Sequence, residues 1–131
     1  EHLTGAERQE RYPEFLRHWR LSGEAADARM PGGETLAEVQ ERAWAAVQRM
    51  RASHPDGTVV AVSHNFVILA LVCRALELPL ARFRRIRQSL AARTIIDVGE
   101  ETAALLQLND LAHLAAAGLA DDLLGGGPRR P

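Results

Sequence analysis

The run Thr58-Val59-Val60-Ala61-Val62-Ser63 passes straight into His64 and then into the apolar stretch Asn65 to Leu76. A short apolar run without polar alternation reads as a strand covered on both faces, the pattern of a parallel sheet. Parallel neighbours cannot be joined by a tight turn, so such a strand calls for helical crossovers packed on the sheet. Helical patterns do flank it. The fold class that follows is an α/β sheet domain with this strand in a parallel sheet.

Upstream, Thr35-Leu36-Ala37-Glu38 has the threonine and glutamate of a capping box. It opens a helix predicted over 36–53, whose Leu36, Val39, Ala43, Val47 and Met50 recur every three or four residues. His54-Pro55-Asp56-Gly57 stops it with turn chemistry. An earlier box, Thr4-Gly5-Ala6-Glu7, starts a helix carrying Tyr12, Phe15, Leu16 and Trp19, which Pro13 divides into two pieces. Residues 21–33 read as a connection ending in the turn Pro31-Gly32-Gly33. Downstream, Phe66, Leu69, Val72, Cys73 and Leu76 mark one side of a helix from Asn65. Thr94–Val98 and Ala103–Leu108 read as strands of a hairpin, joined by Gly99-Glu100-Glu101-Thr102. Residues 1–114 make one domain, and 115–131 an Ala/Gly/Pro-rich flexible tail.

Composition narrows the function classes. A net charge of −1 speaks against a general nucleic-acid binder. No apolar run reaches the ~18 residues of a membrane span, and Glu1-His2-Leu3-Thr4 lacks the charged-then-apolar pattern of a signal peptide. The single cysteine, Cys73, fits a reducing compartment, so a cytoplasmic location is expected. All 16 basic residues are arginine. Their densest group, Arg82, Arg84, Arg85 and Arg87, reads either as a solvated face or as a rim for an anionic substrate.

The candidate chemistry centres on His64. In open α/β sheets ligands gather beyond the carboxyl ends of strands, where the next helix begins with unpaired amides. A histidine there can donate to a phosphoryl oxygen, or it can simply cap the helix; position alone leaves both open. The other histidines make no ligand-spaced pair with it, so no metal site is expected. Ser63 lacks a Gly-x-Ser-x-Gly elbow, and neither a phosphate-cradling Gly-x-x-x-x-Gly-Lys nor a dinucleotide fingerprint is present. Arg17-His18-Trp19 reads as a surface pair beside a buried tryptophan.

Taken together, Pro31-Gly32-Gly33-Glu34-Thr35, the helix with Arg42, His54-Pro55 and Val60-Ala61-Val62-Ser63-His64 resemble the histidine phosphatase superfamily, the phosphoglycerate mutase-like group. The likeness runs from Glu1-His2-Leu3-Thr4 to Leu108-Asn109-Asp110 and His113-Leu114. It implies a three-layer phosphoglycerate mutase-like fold with a mostly parallel sheet, and phosphoryl transfer through a phosphohistidine. In that family a first histidine, in Arg-His-Gly, attacks phosphorus. A second histidine and two arginines surround the phosphoryl group, and a carboxylic acid protonates the leaving oxygen. His64 matches the second histidine. Asn65, where the family often has glycine, keeps the backbone N–H for phosphate binding, with Ser63 and Glu34 in supporting positions.

The resemblance implies a small phosphorylated substrate, no cofactor and no metal; it allows a homodimer and involves neither nucleic acid nor membrane. A phosphatase is preferred to a mutase because the chain is short. The Arg-His-Gly segment, the second phosphate-binding arginine and the acid are missing from these residues; Arg17-His18 lies in a helical context and does not replace the first. The expectation is therefore the C-terminal portion of a complete enzyme, inactive by itself. The alternative is a truncated, non-catalytic relative that binds phosphate or a protein.

Overall fold

The computed structural model describes residues 3–21 and 24–119. Its elements run α1 (Gly5–Arg11), α2 (Pro13–Arg20), α3 (Leu36–Ser53), α4 (Asn65–Ala75), a 3-10 turn (Leu80–Arg85), β1 (Arg93–Val98), β2 (Ala103–Asp110) and α5 (Ala112–Ala116). Both capping boxes form: the Thr4 and Thr35 hydroxyls accept from the amides of Glu7 and Glu38, whose carboxylates accept from the threonine amides. Each box satisfies two amides that the helix itself cannot, and a capping threonine contributes about 1 kcal/mol. Pro13 starts α2 at its first position, where a missing N–H costs nothing, so the break falls at Tyr12.

Helix α4 is the hub. It packs against α3, the 3-10 turn and both strands. Its Leu69, Ala70 and Cys73 join Ala25, Leu36 and Phe83 in the buried core, with Trp19, Val39, Leu80 and Ile86 against it. Gln40 of α3 donates to the Ala70 carbonyl at 2.7 Å, tying the two helices together. The helix ends before Pro79 is reached. Glu77 takes φ 52°, and the Leu78 amide donates back to the Cys73 carbonyl at 2.9 Å. This left-handed residue turns the chain without glycine's ease, so packing of the 3-10 turn on α4 must offset roughly 1–2 kcal/mol.

The hairpin forms as its pattern predicts. β1 and β2 are antiparallel, with Ile96 opposite Leu105 and Val98 opposite Ala103. Both strands alternate exposed and half-buried positions, as expected of a sheet covered on one face.

The apolar run before α4 does not behave as its pattern predicts. Residues 58–63 join no sheet and are exposed, Val60 by 87% and Val62 by 98%. The mostly parallel three-layer sheet is thus absent among the described residues, whose one sheet is the antiparallel β1–β2 pair. The reason is physical: a strand with apolar side chains on both faces is stabilised only by neighbours on its edges and layers on its faces, and no described strand supplies them. At the other end, α5 buries Leu114 and runs two residues into the region read as a tail. The segment Glu1-His2 and tail residues 120–131 lie outside the described residues.

Candidate functional site

His64 stands between the bare apolar run and α4, as the residue that caps the helix. Its backbone is extended, φ −97° and ψ 156°, and its carbonyl accepts the first helical bond from the Ile68 amide at 3.1 Å. The amides of Asn65, Phe66 and Val67 come before the first possible intrahelical bond and meet no acceptor among the described residues. The imidazole does not cap them. It makes no hydrogen bond among the described residues, and Ser63, His64 and Asn65 are all exposed. Free amides at the positive end of a helix dipole, beside an unengaged imidazole, form a set of donors suited to an anion.

Glu34 is held elsewhere, in the turn before α3. Gly32 adopts φ 69°, the Gly33 amide donates to the Met30 carbonyl at 2.8 Å, and the Met30 amide donates to the Glu34 carbonyl at 3.2 Å. Both oxygens of the Glu34 carboxylate accept from Arg42, each at 2.9 Å. One turn away, Glu38 accepts from Arg29 at 2.6 Å and from the Thr35 amide at 2.8 Å, and Arg29 also donates to the Gly33 carbonyl at 3.1 Å. These arginine hydrogen bonds hold the Glu34 and Glu38 carboxyls below the usual carboxylate range. Among the described residues no hydrogen bond or ion pair links Glu34 to His64. The structure therefore groups Ser63, His64 and Asn65 at one join, while Glu34 braces the Pro-Gly-Gly turn.

An aromatic cluster beside this join was not legible in advance. Phe66, in the first turn of α4, sits edge-on to Trp19 with centroids 5.2 Å apart and to Phe83 at 5.9 Å. Trp19 stacks with Phe15 at 5.7 Å and meets Phe83 at the same separation. The signal for it was present in Trp19 and Phe66, but their meeting joins elements far apart in sequence. The pair Arg17-His18 does form on the surface, Nη2 to Nε2 at 3.3 Å, next to a half-buried Trp19.

A cleft of about 580 Å³ lies away from His64, between α3, the end of α4 and the β1–β2 turn. Its one lining cation, Arg74, is paired with Glu41 at 3.1 Å and lies over Trp44. No three metal-ligating side chains converge among the described residues, and no described helix is long and apolar enough to cross a membrane.

Comparison with known proteins gives these features a context. The sequence profile of the histidine phosphatase superfamily (branch 1) matches residues 1–111. Phosphoserine phosphatase 1 of Hydrogenobacter thermophilus is 33% identical over 105 residues, covering 80% of this chain and 49% of that protein. The solved structure of Bacillus stearothermophilus YhfR superposes with a TM-score of 0.77 at 27% identity, over 87% of this chain and 56% of that one. The α-ribazole phosphatase from Shigella flexneri shares the fold, with a TM-score of 0.63 at 20% identity over 81% of this chain and 52% of that one. The chain spans about half the length of the relatives it matches.

Proposed function

Because the chain belongs to the histidine phosphatase superfamily, we propose that the protein it forms part of hydrolyses phosphomonoesters through a phosphohistidine. His64 acts as the second, phosphate-stabilising histidine. The observation that carries this reading is the N-terminal turn of α4, where an exposed imidazole with no hydrogen bond stands beside three open amides.

In this mechanism a histidine outside these residues attacks phosphorus, the P–O ester bond breaks, and an acid gives its proton to the leaving oxygen. Water then attacks the phosphohistidine, releasing inorganic phosphate and regenerating the imidazole. His64 and the Asn65 N–H hydrogen-bond the equatorial oxygens as charge moves onto them. Ser63 and Glu34 support this arrangement indirectly, Glu34 by fixing the turn before α3 through Arg42. Residues 58–63 become an inner strand of a mostly parallel sheet between helical layers once neighbouring strands pair with them. The substrate is a small phosphorylated molecule, and the acting compartment is the cytoplasm.

A second reading starts from the same observation, since an exposed imidazole beside open amides also suits binding without turnover. On that reading the chain is a non-catalytic phosphate- or protein-binding relative, alone or as a homodimer. Turnover of a phosphomonoester by the whole polypeptide decides between the two. The enzyme reading expects activity that falls about 10²–10³-fold in His64→Ala, the usual cost of one preorganised donor. Undiminished turnover by that variant would remove His64 from the mechanism, and no turnover by the wild type would leave the binding module.

A further inference from the structure

The aromatic rings of Phe15, Trp19, Phe66 and Phe83 meet beside the start of α4. They are not equally covered. Phe83 is 1% exposed, Phe15 and Trp19 are half-buried, and Phe66 keeps 40% of its surface open. The Arg84 guanidinium lies over Trp19 and Phe83, at 5.1 and 4.5 Å from their centroids, whereas among the described residues no cation lies over Phe66. The open ring is also a fixed one. Trp19 and Phe83 meet it edge-on, with interplanar angles of 87° and 80°, the arrangement that the charge distribution of aromatic rings favours.

Phe66 is the second residue of α4, and its own N–H is one of the amides with no acceptor among the described residues. Donor and ring thus belong to one residue, so a phosphoryl oxygen on that N–H lies within a side chain's length of the ring. Cα–Cβ bonds in a helix lean toward its N-terminus, which carries the ring toward the open amides rather than down the helix. His64 stands two positions earlier, at the same join. The organic part of a bound phosphomonoester leaves the phosphorus through one ester oxygen. If that part is apolar and lies along Phe66, exposed ring surface is removed from water; a strongly hydrated group gains nothing there.

We infer that Phe66, backed by Trp19, is a specificity-determining residue that receives a flat apolar group on the alcohol side of the phosphomonoester held at His64 and the α4 amides. This rests on the reading given under Proposed function and adds the substrate class to it: phosphomonoesters whose alcohol carries an aromatic ring. A receiving ring that is already fixed lowers the entropy lost when the second ring packs on it.

Two non-hydrolysable ligands that differ only in the ring test it: benzylphosphonate and methylphosphonate. Calorimetric titration of the whole polypeptide is expected to give about tenfold tighter binding of the first, the scale of one aromatic contact. In Phe66→Ala that ratio falls to about one, and in Phe66→Leu it takes an intermediate value. A purely structural role for Phe66 would weaken both phosphonates alike and leave the ratio standing, which overturns the inference. So does a wild-type ratio near one, a result that needs no variant to fold. If neither phosphonate binds while glycerol phosphate is turned over, this inference fails and the phosphatase reading stands. If there is neither binding nor turnover, both fail.

Discussion

The valines of the bare run offer a sharp test, because one pair of substitutions should have two different costs. Val60 and Val62 are 87% and 98% exposed, so truncating both to alanine removes almost no buried surface from the 131-residue chain. Exposed substitutions of this kind stay within about 0.5 kcal/mol. If residues 58–63 are an inner strand in the longer protein, each truncation removes two buried carbons at about 0.8 kcal/mol apiece. The pair then costs roughly 3 kcal/mol there, before any cavity is counted. With an m-value of about 1–3 kcal/mol/M in urea, the midpoint should fall by ~1–3 M in the longer polypeptide and barely move in the shorter one. Equilibrium urea unfolding of both, followed by far-UV circular dichroism, reads this directly. A small shift in both polypeptides would refute the idea that the run becomes buried. A large shift in the 131-residue chain would mean that these valines already pack against something.

Two further outcomes follow from packing and charge. Phe83 is 1% exposed at the centre of the aromatic cluster; Phe83→Ala should cost about 3–5 kcal/mol and shift Trp19 emission to longer wavelength, while Phe83→Leu should cost under about 1.5 kcal/mol. Equal losses from the two would place the cost outside ring packing. Glu34 and Glu38 have carboxyls lowered from the ordinary value of 4.5 by hydrogen bonds to Arg42 and Arg29. A depressed folded-state pKa adds stability above the unfolded pKa and loses it as pH falls through the folded one. Urea midpoints should therefore decline as pH drops below about 4.5, and Glu38→Gln should flatten that decline; an unaltered slope would show that the pair adds nothing.

How much of this was legible follows from the range over which each signal acts. The capping boxes at Thr4 and Thr35, the break at Pro13 and the Gly99–Thr102 hairpin turn depend on neighbours within a few residues, and all appear where the sequence places them. The Val59–Val62 pattern depends on partners distant in sequence, and here it describes an environment that the described residues do not provide. The same distinction applies at the site. That His64 starts a helix is local information, and the structure bears it out. That Glu34 would spend both carboxylate oxygens on Arg42, or that Trp19 and Phe83 would clasp Arg84 beside that helix, is a matter of packing between elements. An arginine in a sequence does not disclose its partners: Arg42 and Arg84 look equally solvated until one is seen paired with a carboxylate and the other lying over two aromatic rings with no ion pair among the described residues. The opening valines and Arg84 are thus the same kind of feature, groups whose surroundings within the described residues leave an interaction incomplete. In the valines what is missing is apolar contact, and at Arg84 it is negative charge.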